Sequence, residues 1–213
     1  MPHSTTSAGF FVTLEGIDGC GKSTQAKLLA EAFRSLGKTV VATREPGGSP
    51  GAEEIRPLLV EGHKTRWLPE TEFLLFTAAR FEHFRIVIGP ALSAGKIVVC
   101  DRYVDSTRIY QGVVRSDLRR LVDLLHERLG IRPPDLTILL DLDPEMAFER
   151  RQATRSSEMR FESFGKDFQR KARQAFLGLA NENPERIKVI DATRALEIVA
   201  QQVFEAALEK HRE

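Results

Sequence analysis

The consecutive residues Gly16, Ile17, Asp18, Gly19, Cys20, Gly21, Lys22 and Ser23 carry the spacing G-x-x-x-x-G-K-S, and Thr24 follows them. Glycines let the backbone bend tightly and turn its N–H groups inward, and a helix N-terminus just downstream favours an anion. A lysine at this position can reach the outer phosphates of a nucleotide, and the Ser23 hydroxyl can ligate magnesium. By composition alone this pattern should arise in such a chain well under about once in a hundred. The plain alternative is a glycine-rich turn capped by Ser23 or Thr24, which would need neither the lysine nor an apolar strand in front of it.

Three further clusters carry charge. Arg44 and Glu45 open the run Arg44-Glu-Pro-Gly-Gly48, whose simplest role is a Pro-Gly turn with an ion pair. Asp101 and Arg102 lie in Cys100-Asp-Arg-Tyr103, where an Asp can bind magnesium directly or through water and an Arg can bridge two phosphates. Phe76 and Arg80 are four residues apart in a helical pattern, so ring and guanidinium share a face and could hold a flat base and its phosphate together. Taken singly, Phe76 reads as core and Arg80 as surface. The hydroxyl and amide groups of Ser106, Thr107, Tyr110 and Gln111 suit hydrogen bonds to a base or sugar.

These residues need a frame that brings them to one edge. Short β-branched runs at Phe10 to Leu14, Thr39 to Thr43, Lys96 to Cys100, Leu136 to Leu142 and Ile187 to Ile190 alternate with helical patterns. The alternation predicts a five-stranded parallel sheet between two layers of helices, an α/β/α fold of the phosphate-loop NTPase type. Thr24 to Leu36 reads as the helix behind the phosphate loop. Leu196, Val199, Ala200, Val203, Phe204, Ala207 and Leu208 form one apolar helical face, which is core rather than a cofactor site. In an open parallel sheet, the loops after the carboxyl ends of strands line the ligand crevice, so the phosphate loop, Arg44 and Asp101 are expected on one rim.

The segment 150–164 is different, because Arg150, Arg151, Arg155 and Arg160 are interleaved with polar and small residues. It is expected either as a short mobile lid or, more plainly, as a solvated helix end. A chain of 213 residues with 42% hydrophobic residues suits one domain, with residues 1–9 as a frayed tail. The formal net charge of +1 argues against a nucleic-acid or membrane-binding surface. Two cysteines, Cys20 and Cys100, are too few for a disulfide framework. The polar first residues do not form a signal peptide and no apolar run is long enough to span a membrane, so a cytoplasmic protein is expected.

Taken together, GIDGCGKST, TREPGG, LFTAAR, CDRYVDST with YQG, a flap ending in RFE, and VIDATRALE resemble thymidylate kinases, motif for motif and in order over nearly the whole chain. REPGG and DRY-x-x-S are far more specific than the phosphate loop. The resemblance implies transfer of the γ-phosphoryl group of ATP to dTMP, with magnesium, by a phosphate-loop kinase usually found as a homodimer. It implies that Lys22 and the loop amides from Gly16 to Thr24 hold the ATP phosphates. Ser23 and Asp101 would serve the metal, and Asp18 would sit between metal and substrate sugar. Arg44 and Arg80 would grip the acceptor phosphate, Phe76 would stack on thymine, and Arg102 would bridge acceptor and donor. Glu45, Tyr103, Ser106, Thr107, Tyr110 and Gln111 would surround the nucleoside.

Some thymidylate kinases carry an arginine in the phosphate loop. Gly19 and the basic flap resemble instead the bacterial pattern, with Arg151 and Arg155 as candidates to reach the transferred group. Ser156 and Met159 depart from the usual R-G-x-x-D-R-F-E flap. The chemistry agrees, because a nucleotide phosphate is already ionised near neutrality and needs cations rather than a strong base. The alternatives are another nucleoside monophosphate kinase and a non-catalytic nucleotide-binding module. The first should lack REPGG together with DRY-x-x-S, and a guanine-binding switch would show N-K-x-D, which is absent.

Overall fold

A computed structural model describes residues 9–114, 117–154 and 165–213, with side chains omitted for 151–154. Five parallel strands form one sheet in the order β2-β3-β1-β4-β5. They are β1 (Phe11–Glu15), β2 (Val40–Arg44), β3 (Ile97–Asp101), β4 (Leu136–Asp141) and β5 (Ile187–Asp191). The central three are buried almost throughout, whereas β2 and β5 are partly exposed, as edges of a parallel sheet must be. The helices are α1 (Lys22–Ser35), α2 (Pro50–Val60), α3 (Pro69–His83), α4 (Gly89–Ser93), α5 (Val104–Ile109), α6 (Arg119–Arg128), α7 (Pro144–Thr154), α8 (Lys166–Glu182) and α9 (Leu196–Arg212). Single π-helical turns extend α3 over Phe84–Ile88 and α5 over Tyr110–Val114.

The two-residue period of β1 divides the core. Val12 and Leu14 face one cluster with Leu29 and Phe33 of α1, Phe176 of α8, and Val199 and Val203 of α9. Phe11 faces a second cluster with Phe73, Ile88, Tyr103, Val104 and Val122. Of the predicted apolar face of α9, Val199, Val203 and Ala207 are buried in that first cluster and Phe204 and Leu208 pack against it, whereas Leu196, at the first turn, is exposed. On the second side β1 becomes more polar toward the rim. Phe11 meets Tyr103 edge-on at 4.9 Å, the Thr13 and Thr137 hydroxyls are 2.9 Å apart, and Glu15 ends the row.

Each of the first three strands runs one residue further than the apolar pattern suggested. Arg44 pairs in register with Asp101, and Asp101 with Leu14, so the charged ends of β2 and β3 stand beside the start of the phosphate loop. Among the described residues no helix is long and apolar enough to cross a membrane.

Candidate active site

The loop between β1 and α1 bends through two glycines that no other residue could replace without strain. Gly16 has φ 137°, and a Cβ there would lie 2.6 Å from the Leu140 carbonyl oxygen; Gly21 caps α1 with φ 98° and opens onto free space. The Gly21 carbonyl accepts the first helical bond, from the Gln25 N–H at 3.0 Å. Lys22 Nζ is folded back and donates to the Ile17 carbonyl at 2.7 Å. It also lies 3.7 Å from Cys20 Sγ, so an anion in the cradle can recruit this ammonium by exchanging only neutral partners. Cys20 is buried against the same lysine, and burial pushes its thiol up, so it is packing rather than a nucleophile. Both cysteines are free and buried.

Ser23 Oγ donates to Asp101 Oδ2 across the rim. The two oxygens converge from α1 and β3, and no group of three acidic, histidine or cysteine ligands forms a cage among the described residues. A pair of oxygens beside a phosphate cradle fits magnesium, which keeps several waters and takes most of its ligands from substrate phosphates.

Arg102 follows β3 with φ 67°, the one non-glycine residue with positive φ among those described. Such a conformation costs roughly 1–3 kcal/mol and persists only where surrounding bonds fix it. The guanidinium donates to the Gly16 carbonyl at 3.1 Å and to Ser106 Oγ at 2.9 Å, and it pairs with Asp18. It also lies 5.5 Å over the Tyr110 ring. Arg102 thus touches the phosphate loop and α5 at once, where the sequence placed a bridge.

Beside it stands a dry wall. Arg80 is only 2% exposed; its Nε donates to Glu45 Oε2 at 2.7 Å, and its Nη2 donates to the Tyr103 carbonyl at 3.1 Å and Thr107 Oγ1 at 2.9 Å. The Arg80 charge also lies 5.3 Å over the Tyr103 ring. The second oxygen of Glu45 meets His83 Nδ1 at 3.1 Å, and His83 Nε2 meets Thr43 Oγ1 at 2.7 Å. A side chain at Gly48 would strike His83 and Thr43 at about 2.5 Å, so the REPGG turn must end in glycine to let this network close. His126, 3.4 Å from Arg80, is held neutral: burial and then the Arg80 charge push its pKa down to about 2.

Three predicted residues are tied to internal partners. Arg80 is buried, with its donors on Glu45, the Tyr103 carbonyl and Thr107 and its Nη1 beside His126. Tyr103 turns its ring to the core, with its hydroxyl on the Arg132 carbonyl at 3.3 Å. Gln111 is buried and donates to Glu72 Oε1 at 2.7 Å. Phe76 is half-buried against Ala52, Leu59 and Ala79. Arg44, by contrast, is open: it pairs with Glu53 at 2.7 Å, with the two side chains 46% and 42% exposed. The side chain of Arg151, and residues 155–164 with Arg155 and Arg160, lie outside the described residues.

Several site residues carried no sequence motif. Glu15 is completely buried and accepts from the Tyr103 N–H at 2.7 Å, the Ser106 N–H at 3.1 Å and the Ser106 hydroxyl at 2.6 Å. Burial, reinforced by the Asp105 charge, pushes its pKa up to about 7. His83 and His126 complete the wall around Arg80. Gln169 of α8 brings its amide 3.5 Å from Asp18 Oδ2, and Phe168 stacks on Tyr110 with ring centroids 5.7 Å apart. The available signal was a charge at the end of a wholly apolar strand, and histidines inside amphipathic helices.

A family model described as thymidylate kinase matches residues 14–203. The chain is 55% identical over 203 residues to the thymidylate kinase of Ruegeria pomeroyi, covering 95% of this chain and 96% of that one. It is 45% identical to that of Caulobacter vibrioides over 203 residues, covering 95% and 97%. The crystal structure of thymidylate kinase from Ehrlichia chaffeensis superimposes with a TM-score of 0.75 at 34% identity, covering 95% and 99% of the two chains. Motif order, sheet order and these likenesses extend together over the phosphate loop, the REPGG turn and the DRY helix, and on that ground the chain belongs to the thymidylate kinase family.

Proposed function

We propose that this protein transfers the γ-phosphoryl group of ATP to dTMP, giving dTDP and ADP. The observation that carries this reading is Arg102, whose guanidinium joins the phosphate loop, through the Gly16 carbonyl and Asp18, to Ser106 of α5. A cation shared between a donor cradle and a second pocket is what transfer between two anionic phosphates requires. Lys22 and the loop from Gly16 to Thr24 take the ATP phosphates, and Ser23 with Asp101 would hold magnesium. The metal supplies neutralisation and orientation of the phosphates when bound.

On the acceptor side Arg44 supplies an exposed guanidinium to the phosphate of dTMP, and Phe76 presents the face of its ring to the base. Arg80, with Glu45, Thr107 and His126 around it, forms the floor beneath that base, with its reach to the phosphate limited by burial. Asp18, Ser106, Tyr110 and Gln111 line the sugar side. Arg151 and Arg155 are the candidates to meet the transferred group from the lid. The same reading takes the protein as a cytoplasmic homodimer. It is supported by a near-neutral charge and by Leu121 and Leu124, exposed one turn apart on α6; sedimentation of the purified chain tests the dimer. ATP-dependent phosphorylation of dTMP, dUMP, CMP, UMP and GMP tests the activity. A clear preference for any acceptor other than dTMP, or binding of ATP without transfer, would overturn it.

A further inference from the structure

Glu15 belongs to neither the phosphate loop nor the DRY motif, yet it lies against the motif's arginine, the one non-glycine residue with positive φ among those described. Arg102 adopts φ 67°, and its N–H donates to the Leu14 carbonyl at 2.9 Å. On its other side the next N–H, that of Tyr103, donates to Glu15 Oε1 at 2.7 Å. The two residues that clamp the backbone of Arg102 are therefore neighbours on β1. The guanidinium end is governed by the same carboxylate. Ser106 Oγ donates to Glu15 Oε2 at 2.6 Å and accepts from Arg102 Nη1 at 2.9 Å, so Glu15 fixes which way the serine lone pairs point. The Ser106 N–H, at 3.1 Å from Oε1, keeps the serine from moving away.

We infer that Glu15 is a positioning residue for phosphoryl transfer, holding Arg102 by backbone and side chain in the orientation that reaches Asp18 and the Gly16 carbonyl. An amide replaces it only in part. Glutamine keeps one acceptor oxygen for the two N–H groups, but its NH2 would donate to the second lone pair of Ser106 Oγ. The serine hydroxyl proton then loses its acceptor and turns elsewhere, so the oxygen is no longer fixed in the orientation that receives Arg102 Nη1. Glu15 is completely buried, so its effect passes through the residues it holds, Tyr103 and Ser106, to Arg102.

This inference rests on the proposed activity, and the test separates the two. With full-length protein, Glu15→Gln is expected to lower kcat for dTMP by about tenfold or more while the KM for ATP stays within about twofold. In an Arg102→Ala background the same substitution should lower kcat by less than about twofold, because the residue it orients is gone. Equal fold-losses in both backgrounds, or a wild-type kcat in Glu15→Gln, would overturn the inference. Without any substrate, the ¹⁵N guanidinium resonances of Arg102 should shift in Glu15→Gln. Unchanged resonances refute the positioning role, whereas wild-type protein that fails to phosphorylate dTMP refutes the activity alone.

Discussion

The phosphate loop draws on one run of consecutive residues, Gly16 to Thr24, and its lysine rests on one backbone carbonyl and the Cys20 sulfur. The buried wall gathers Glu45, Arg80, His83, Tyr103, Thr107 and His126 from four separate segments, and its arginine rests on four polar contacts and a ring. One region keeps its cation available by spending little on holding it. The other locks its cation away from water, where a carboxylate must accompany it. The contrast teaches that one cation can be kept available at a rim while another is built into the architecture beside it.

The largest effect should come from the available cation. Lys22→Ala is expected to cut kcat by about a hundredfold or more, while the melting temperature moves by no more than about 2 °C. Coupled ADP release and a thermal melt check it, and a variant with most of its turnover would dissolve the contrast. Glu45→Ala should do the reverse at first reading. It strands the buried Arg80 charge and should cost about 3–5 kcal/mol in urea unfolding. A loss under about 1 kcal/mol would mean that the wall is wet. Arg80→Ala should raise the KM for dTMP far more than that for ATP, and equal rises would detach the wall from the acceptor.

A subtler effect lies in pH. Glu15 has its pKa raised from 4.5 to about 7, so between those values the folded protein holds a proton that the unfolded chain releases. Its contribution therefore favours the folded state at low pH and fades as pH rises through that window, by on the order of 3 kcal/mol. His126 has the opposite sign: its pKa falls from 6.5 to about 2, so stability is lost as pH drops below 6.5 and the unfolded chain takes up the proton. Unfolding free energies at pH 5 and pH 7 should show Glu15→Gln gaining relative to wild type as pH rises, and His126→Gln gaining as it falls. A slope of the opposite sign in either variant would overturn the assignment for that residue. The smallest effect is expected of Arg44→Ala, because an ion pair this exposed contributes less than about 1 kcal/mol. Its signature should be a raised KM for dTMP on an unchanged melting curve.

What was legible follows the same division. The phosphate loop could be read because its geometry is local and glycine is the residue that satisfies it. The sheet could be read because buried parallel strands are continuous apolar runs, although such runs stop short of the charged Glu15, Arg44 and Asp101 that end β1, β2 and β3. The wall could not be read: Arg80 and Glu45 were each recognised, but their ion pair spans 35 positions and no spacing rule links them. Glu15, His83, His126 and Gln169 passed unnoticed because a lone polar residue in an apolar pattern has no local signature for its partner.

The strand β1 ends in Glu15, and the next three residues reach Asp18. Glu15 fastens α5, and Asp18 pairs with Arg102 beside the phosphate cradle. The phosphate loop and α5 are thus both fastened to one short length of covalent chain in the middle of the sheet, like the jaws of a calliper carried on a single beam.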